Sequence, residues 1–319
     1  MAAMSLLPPA LTRGRRVILL AGLPVVLVLI GFAVNAWIQG ILTDLAPHAL
    51  VGFPVALSAQ PVDGQVRLFT GQGDVQVRAG AVRRVQVRGH LAASFTRPAL
   101  SHQLTPAGLR LNPSCHVPIG ICSLKLAVTV PAGLPVAVDT SFGNLTASGL
   151  HGTVALSANS GDLHASHLTG SIRLGNAFGG ITASDLAGAI RLVNNSGDIT
   201  ASALTGDSDF QDSFGNIEVS GLAARGVMAS NNSGDITIQF AQVPRRVNVT
   251  DSFGNITLVL PPGAITYRVS AHTQFGSTTV LVPQAPTAAS VITASNNSGD
   301  IRIVNGQVPP QPAGPAIPR

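Results

Sequence analysis

The chain has 319 residues, 45% of them apolar, 4% aromatic and only 10% charged, with 34 glycines and 22 prolines. That is enough apolar material for a sizeable core, and the glycine-rich, small-residue mixture suits short strands and tight turns better than packed helices. One glutamate, Glu218, among 14 acidic residues is a thin stock for acid–base catalysis. The net charge of +5 is no nucleic-acid footprint either, because Arg13, Arg15 and Arg16 supply three of the positive charges and no later basic run exceeds Arg83-Arg84 and Arg245-Arg246.

In chain order, residues 1–16 read as a basic cytoplasmic stub and residues 17–38 as a transmembrane helix. The stretch "VILLAGLPVVLVLIGFAV" from Val17 to Val34 carries no charge, and Trp37 stands where an interfacial aromatic belongs. Eighteen residues rise about 27 Å as a helix, close to the hydrocarbon thickness of a bilayer. The three arginines precede it and Asp44 is the first charge after it, so the positive-inside rule directs the remainder out of the cytoplasm. A cleaved signal peptide ending near Val34-Asn35-Ala36 is the rival reading, but the apolar core is longer than a signal sequence needs. Either way the bulk of the chain is expected outside the cytoplasm, and with the uncleaved anchor the protein is expected in the cell membrane, single-pass, with its N-terminus cytoplasmic.

Residues 39–60 read as a stalk. Residues 61–135 form an N-terminal β region in which Val66/Leu68, Val75/Val77 and Val85/Val87 alternate as in half-buried strands. It contains the only two cysteines, Cys115 and Cys122, expected to close a short disulfide loop in an exported domain. A metal site using His116 would need a second ligand pair that the sequence lacks.

Residues 136–304 repeat. Corner glycines fall at Gly143, Gly161, Gly179, Gly197, Gly215, Gly234, Gly254, Gly276 and Gly299, with spacings of 18, 18, 18, 18, 19, 20, 22 and 23. A period near twenty marks a solenoid, whose units bury their apolar faces only by stacking. Two residues after the corner stand Leu145, Leu163, Ile181, Ile199, Ile217, Ile236, Ile256 and Ile301. Two further on come Ala147, Ala165, Ala183, Ala201, Val219, Ile238, Leu258 and Ile303, on the same strand face. Leu150, Leu168, Leu186, Leu204 and Leu222 make a third column, and Val154/Leu156, Ile172/Leu174 and Ile190/Leu192 a second strand. The expected fold is therefore all-β, a parallel β-solenoid with two short strands and two turns per coil.

The corners alternate between "NNSGD" and "DSFGN". Taken in chain order, the residue after the glycine runs Asn144, Asp162, Gly180, Asp198, Asn216, Asp235, Asn255, Ser277, Asp300. Carboxylates stacked on neighbouring coils, about 4.8 Å apart, would repel by about 1 kcal/mol in water and about 3–4 kcal/mol at a protein-surface dielectric. An uncharged residue between them at least halves this, which favours an 18-residue coil over a 36-residue coil that would set Asp on Asp. The preceding column mixes Phe142, Phe178, Phe214 and Phe253 with Ser160, Ser196 and Ser233. Residues 305–319, "NGQVPPQPAGPAIPR", have too few apolar side chains to fold alone and are expected to be disordered.

Motifs for phosphate loops, zinc proteases or nucleophile elbows are absent, and no cofactor or metal is expected. Gly-Asp pairs also mark calcium-binding β-rolls, but those have a nonapeptide period and more acids. Asp207, Asp209 and Asp212 in "GDSDFQD" are the one acidic cluster, and the residues that a carbohydrate-cleaving β-helix would use. Ser208 there replaces the apolar residue at Ile172 and Ile190. In the eighteen-residue register Asp209 lies beside Arg191, so a cross-strand ion pair accounts for that acid without catalysis. His151, His164 and His167 fall in turns without ligand spacing, and Asn144, Asn248 and Asn255 stand in N-x-T sequons.

The opening "GQGDV" (Gly71–Val75), the passage "VTVPAGLPVAVDTSFGN" and the serial SGD and FGN corners resemble the bacterial putative-adhesin family of β-strand-repeat envelope proteins, over about residues 60–304. The resemblance implies a β-helix-like fold on the cell exterior, commonly behind one membrane anchor, and brings no catalytic residues with it. The expected function is a non-catalytic structural or adhesive contact with an envelope protein or glycan, without nucleic acid. Some members of that family serve envelope-stress sensing, which makes a sensor with a membrane partner the first alternative. A polysaccharide-active enzyme built on Asp207, Asp209 and Asp212 is the second.

Overall fold

The computed structural model describes residues 51–59, 64–93, 99–105, 108–114 and 122–306, and every regular element among them is a β-strand. The expected membrane helix over 17–38, residues 39–50 and 60 of the stalk, residues 115–121 of the cysteine loop and the tail beyond Gly306 lie outside the described residues, while Val51–Ala59, expected to be stalk, is a strand paired with Val85–Ala93. No helix among the described residues is long and apolar enough to cross a membrane.

The strands stack in parallel, one turn of chain on the next. Leu163 pairs with Leu145 on one side and Ile181 on the other, Ile181 with Ile199, and Ile199 with Ile217, each a repeat apart. These side chains and the second-strand column Val154, Ile172 and Ile190 are all buried, so the solenoid interior is one continuous apolar core. Each fully buried Leu or Ile contributes about 1.5–3 kcal/mol of transfer free energy, and each does so only because rungs above and below cover it.

Two features depart from a coil of two strands and two turns. First, glycine recurs every nine residues from Gly143 to Gly215, because Gly152, Gly170, Gly188 and Gly206 form a second corner column. At Gly188 (φ +131°) a Cβ would collide with the Gly170 carbonyl oxygen. Second, Gly149, His167, Asp185, Ala203 and Gly221 all adopt left-handed backbone, φ 53–66°, and bend each coil once more. The coil thus has three turns.

The stacking order also departs from the chain order at the far end. Arg246–Phe253 pairs with Ser290–Ser298, and Ile256–Leu260 with Ile301–Asn305, while Tyr267–Phe275 and Thr278–Leu281 pair only on the outer side of that last segment. The chain's last coil is therefore the penultimate rung, and residues 267–281 form the end. The apolar faces explain the order. Ile292, Ala294, Ile301 and Ile303 are buried between rungs on both sides, whereas Tyr267–Phe275 is largely exposed, with only Tyr267 fully buried.

The opposite end is built similarly. Val66–Thr70 and Asp74–Gly80 form a rung against Val136–Phe142 and Leu145–Ser148, and on their other side pair with Gly108–Ser114 and Cys122–Pro131. Antiparallel strands Val85–Ala93 and Val51–Ala59 continue from Cys122–Pro131, and Ala99–Thr105 lies antiparallel to Gly108–Ser114. Antiparallel pairing here occupies edges that would otherwise template another chain.

Candidate functional site: the repeated corner

In spatial order the corner runs through ten rungs, with glycines at 73, 143, 161, 179, 197, 215, 234, 254, 299 and 276. Except at Gly276 on the terminal rung, each glycine N–H reaches a carbonyl of the neighbouring rung, as Gly179 does to Ser196 and Gly254 to Ser298 at 3.0 Å. The backbone there takes positive φ, and at Gly197 (φ +109°) a Cβ would drive into the Gly179 carbonyl. Glycine is required both by conformation and by rung-to-rung contact.

The residue after the glycine forms a ladder of side chain onto backbone. Asp74 Oδ1 accepts the N–H of Asn144, Asn144 Oδ1 that of Asp162, and Asp162 Oδ1 that of Gly180. The ladder resumes beyond Gly180. Asp198 accepts from Asn216, Asn216 from Asp235, Asp235 from Asn255, Asn255 from Asp300, and Asp300 from Ser277, all at 2.8–2.9 Å. In this order every other rung carries an aspartate, at 74, 162, 198, 235 and 300, with Asn, Gly or Ser between. Asn216 and Asn255 add Nδ2 bonds to the neighbouring carboxylates of Asp198 (3.2 Å) and Asp235 (3.1 Å).

Inside the corner lies a second ladder that the sequence reading did not single out. Asn176, Asn194, Asp212, Asn231, Asp251 and Asn296 occupy one buried column. Asn231 Nδ2 donates to the carbonyls of Gly215 (2.8 Å) and Gly234 (3.1 Å), and Asn176 and Asn194 make the equivalent bonds on their rungs. At Asp212 and Asp251 a carboxyl oxygen stands in for that amide. Oδ1 accepts the next backbone N–H at 2.8 Å, and Oδ2 is buried without a partner. Burial pushes both carboxyls up to about 6, against the pull of backbone donors at Ser213/Phe214 and Ser252/Phe253, with the charges of Asp198 and Asp235 adding to the rise. The signal was present in the pentapeptides: where the outer residue is Asp the inner one is Asn, and the reverse.

Between the ladders, the residue before each glycine points outward. Phe142, Phe178, Phe214, Phe253 and Phe275 stand on every second rung, 56–66% exposed, with Ser160, Ser196, Ser233 and Ser298 between them.

The acidic cluster does not converge. Asp207 Oδ1 accepts the Gly226 N–H at 2.8 Å, and Asp209 accepts from the Arg191 guanidinium, which also bonds Gln211 Oε1 at 2.9 Å. Both border a shallow groove of about 660 Å³ with Arg173, Arg246 and Met228, while Asp212 turns into the buried ladder. Ser208 is buried, and its small volume sits two residues from Phe210, the largest side chain in its column. His151 bonds Thr169 at 2.7 Å and His167 lies 3.5 Å from Asp185 at the surface. Among the described residues no three metal-ligating side chains come together.

The fold is shared with solved structures. A putative adhesin from Parabacteroides merdae superposes with TM-score 0.53 at 13% identity, over 82% of this chain and 98% of that one. A putative lipid binding protein from Parabacteroides distasonis gives 0.51 at 12% identity, over 81% and 98%. At such identity the likeness shows the fold alone. No curated protein matches the chain in sequence. The profile of the family described as Toastrack DUF4097 matches residues 122–305, more than half of the chain and all of its regular rungs beyond the N-terminal end, and the protein belongs to that family.

Proposed function

We propose that this is a single-pass bacterial envelope protein: residues 1–16 in the cytoplasm, residues 17–38 across the membrane, and the β-solenoid outside in a non-catalytic structural or adhesive role. The observation that carries the reading is the tenfold recurrence of one corner, which sets an outward phenylalanine on every second rung, five in all, along a rod of about 40 Å. Weak contacts repeated at fixed spacing add through effective concentration, which suits adhesion to a repeating protein or glycan surface. The adhesin-like fold of the Parabacteroides merdae protein supports it, as does the uncharged run from Val17 to Val34.

The test uses the full chain expressed in bacteria. Protease added to intact cells should digest the solenoid and spare an epitope placed before residue 17; complete protection rejects the topology. Cells carrying the chain should be retained on envelope protein or glycan, and the triple change Asp207→Asn, Asp209→Asn, Asp212→Asn should leave retention intact. A glycan-cleaving activity abolished by that triple change would establish the enzyme instead.

A further inference from the structure

Scattered exposed phenylalanines need no explanation, but five on one line at every second rung do. With rungs about 4.8 Å apart, the rings recur about every 9.6 Å. A polyproline-II helix has three residues per turn at 3.1 Å each, so a proline at every third residue returns to the same face about every 9.3 Å. The tail has that pattern: Pro309, Pro312, Pro315 and Pro318 are spaced by three in "VPPQPAGPAIPR". Aromatic rows are the usual partners of such segments, because the helix is preformed and loses little entropy on docking.

We propose that the row Phe253, Phe214 and Phe178 is a docking surface for the C-terminal tail of the same chain, with Pro312, Pro315 and Pro318 seated on the three rings in that order. Reach selects these prolines. The strand Ile301–Asn305 separates Gly306 from the corner by about 17 Å. Three residues from Gly306 span only about 10 Å, too short for Pro309, whereas six span about 20 Å and bring Pro312 to the row. From Phe253 the tail descends two rungs per turn, and the accumulated mismatch over both intervals is about 0.6 Å. Charge agrees with the direction. Arg319 follows Pro318, next to the exposed carboxylate of Asp162 one rung below Phe178. The tail thereby covers part of the face that an outside partner would meet. The inference does not depend on the adhesive reading, since it needs only the row and the tail.

The experiment measures binding of a fluorescein-labelled peptide of residues 306–319 to the full chain in detergent and to the same chain stopped at Gly306. The shortened chain should bind the peptide about tenfold more tightly than the full chain, whose own tail competes at millimolar effective concentration. Phe178→Ser, Phe214→Ser and Phe253→Ser together should abolish binding; serine already occupies the alternate rungs, and a thermal melt checks that the fold persists. A peptide of the same composition with its prolines at irregular spacing should bind at least about tenfold more weakly. Equal binding of that peptide, no loss in the serine variant, no binding to the shortened chain, or equal affinity of both chains would each overturn the proposal. Dimerisation of the shortened chain that the serine changes dissolve would name a second copy as the occupant, and overturn it too.

Discussion

Asn255 Oδ1 accepts the backbone N–H of Asp300 at 2.9 Å, across 45 residues of sequence, while Ser277, much nearer in the chain, sits one rung further out on Asp300. In chain order the outer column ends Asn255, Ser277, Asp300 and its alternation is ragged. In spatial order it ends Asn255, Asp300, Ser277, and aspartate occupies strictly every other rung from Asp74 onward. The phenylalanine row obeys the same order, since Ser298 lies between Phe253 and Phe275. Asp and Asn present an acceptor oxygen to the next rung equally well. Charge and the amide donor distinguish them there, so the alternation serves to separate carboxylates and to let an amide donate to its neighbour.

Two substitutions in the outer column should therefore act in opposite directions. Gly180 leaves the ladder without a side-chain acceptor for the Asp198 N–H, and a Cβ there meets only ordinary contacts. Gly180→Asn should restore the missing link and raise stability by about 1 kcal/mol. Asn216→Asp would set carboxylates on three successive rungs, 198, 216 and 235, at about 1 kcal/mol per new neighbour in water. Urea unfolding should show this loss at low salt and most of it recovered at about 1 M salt, where the screening length is about 3 Å.

Much of this architecture was legible because the apolar columns repeat at a nearly constant interval and strands impose a period of two. Ile181 and Ile199 could be paired from spacing alone. What spacing cannot show is order among rungs of unequal length: residues 267–281 and 290–305 both match the column, and only burial on one face or two decides which is terminal. The inner ladder escaped for another reason. Asn194 and Asp212 look like turn residues by composition, and their burial follows from the geometry of the corner. Asp207, Asp209 and Asp212 are neighbours in sequence, but strand alternation and the corner send them to different surroundings.

The two kinds of turn make opposite demands on a Cβ. At Gly188 the added carbon would strike the Gly170 carbonyl, which belongs to a hydrogen-bonded rung and cannot yield. Gly188→Ala should cost more than about 3 kcal/mol. At Ala203 the backbone is left-handed at φ 53°, yet equivalent rungs use Gly149 and Gly221. Ala203→Gly should relieve the strain and gain about 1 kcal/mol. Denaturant midpoints of the two variants check both signs.

Arg191 and Asp209 lie on the outward face, with side chains 39% and 23% exposed. Solvent and salt weaken such a pair, so a double-mutant cycle of Arg191→Ala and Asp209→Ala should return a coupling of about 1 kcal/mol or less. The guanidinium also holds Gln211, so Arg191→Lys should lose part of the same energy although the charge is kept. A coupling several times larger would mean the groove is far drier than its exposure indicates.

The inner ladder predicts a pH dependence opposite to that of most carboxylates. Asp212 and Asp251 rise from 3.8 in the unfolded chain to about 6 in the fold, chiefly through burial. Between those values the folded chain keeps protons that the unfolded chain has released, so stability falls as pH rises from about 4 to about 6 and stays lower above it. The geometry gives the reason. A protonated Oδ2 has the donor that Asn194 and Asn231 use towards the glycine carbonyls, and a deprotonated one has none. Asp212→Asn with Asp251→Asn should therefore stabilise the protein at about pH 7.5, by an amount on the order of 1–3 kcal/mol per site, and change little at about pH 4. Thermal melts of the parent and the double variant across this range test it. If the parent instead keeps its stability from about pH 4 to about pH 8 and loses it only on acidification below about pH 4, while the variant does not, the two carboxyls are charged in the fold and the ladder is held by another donor.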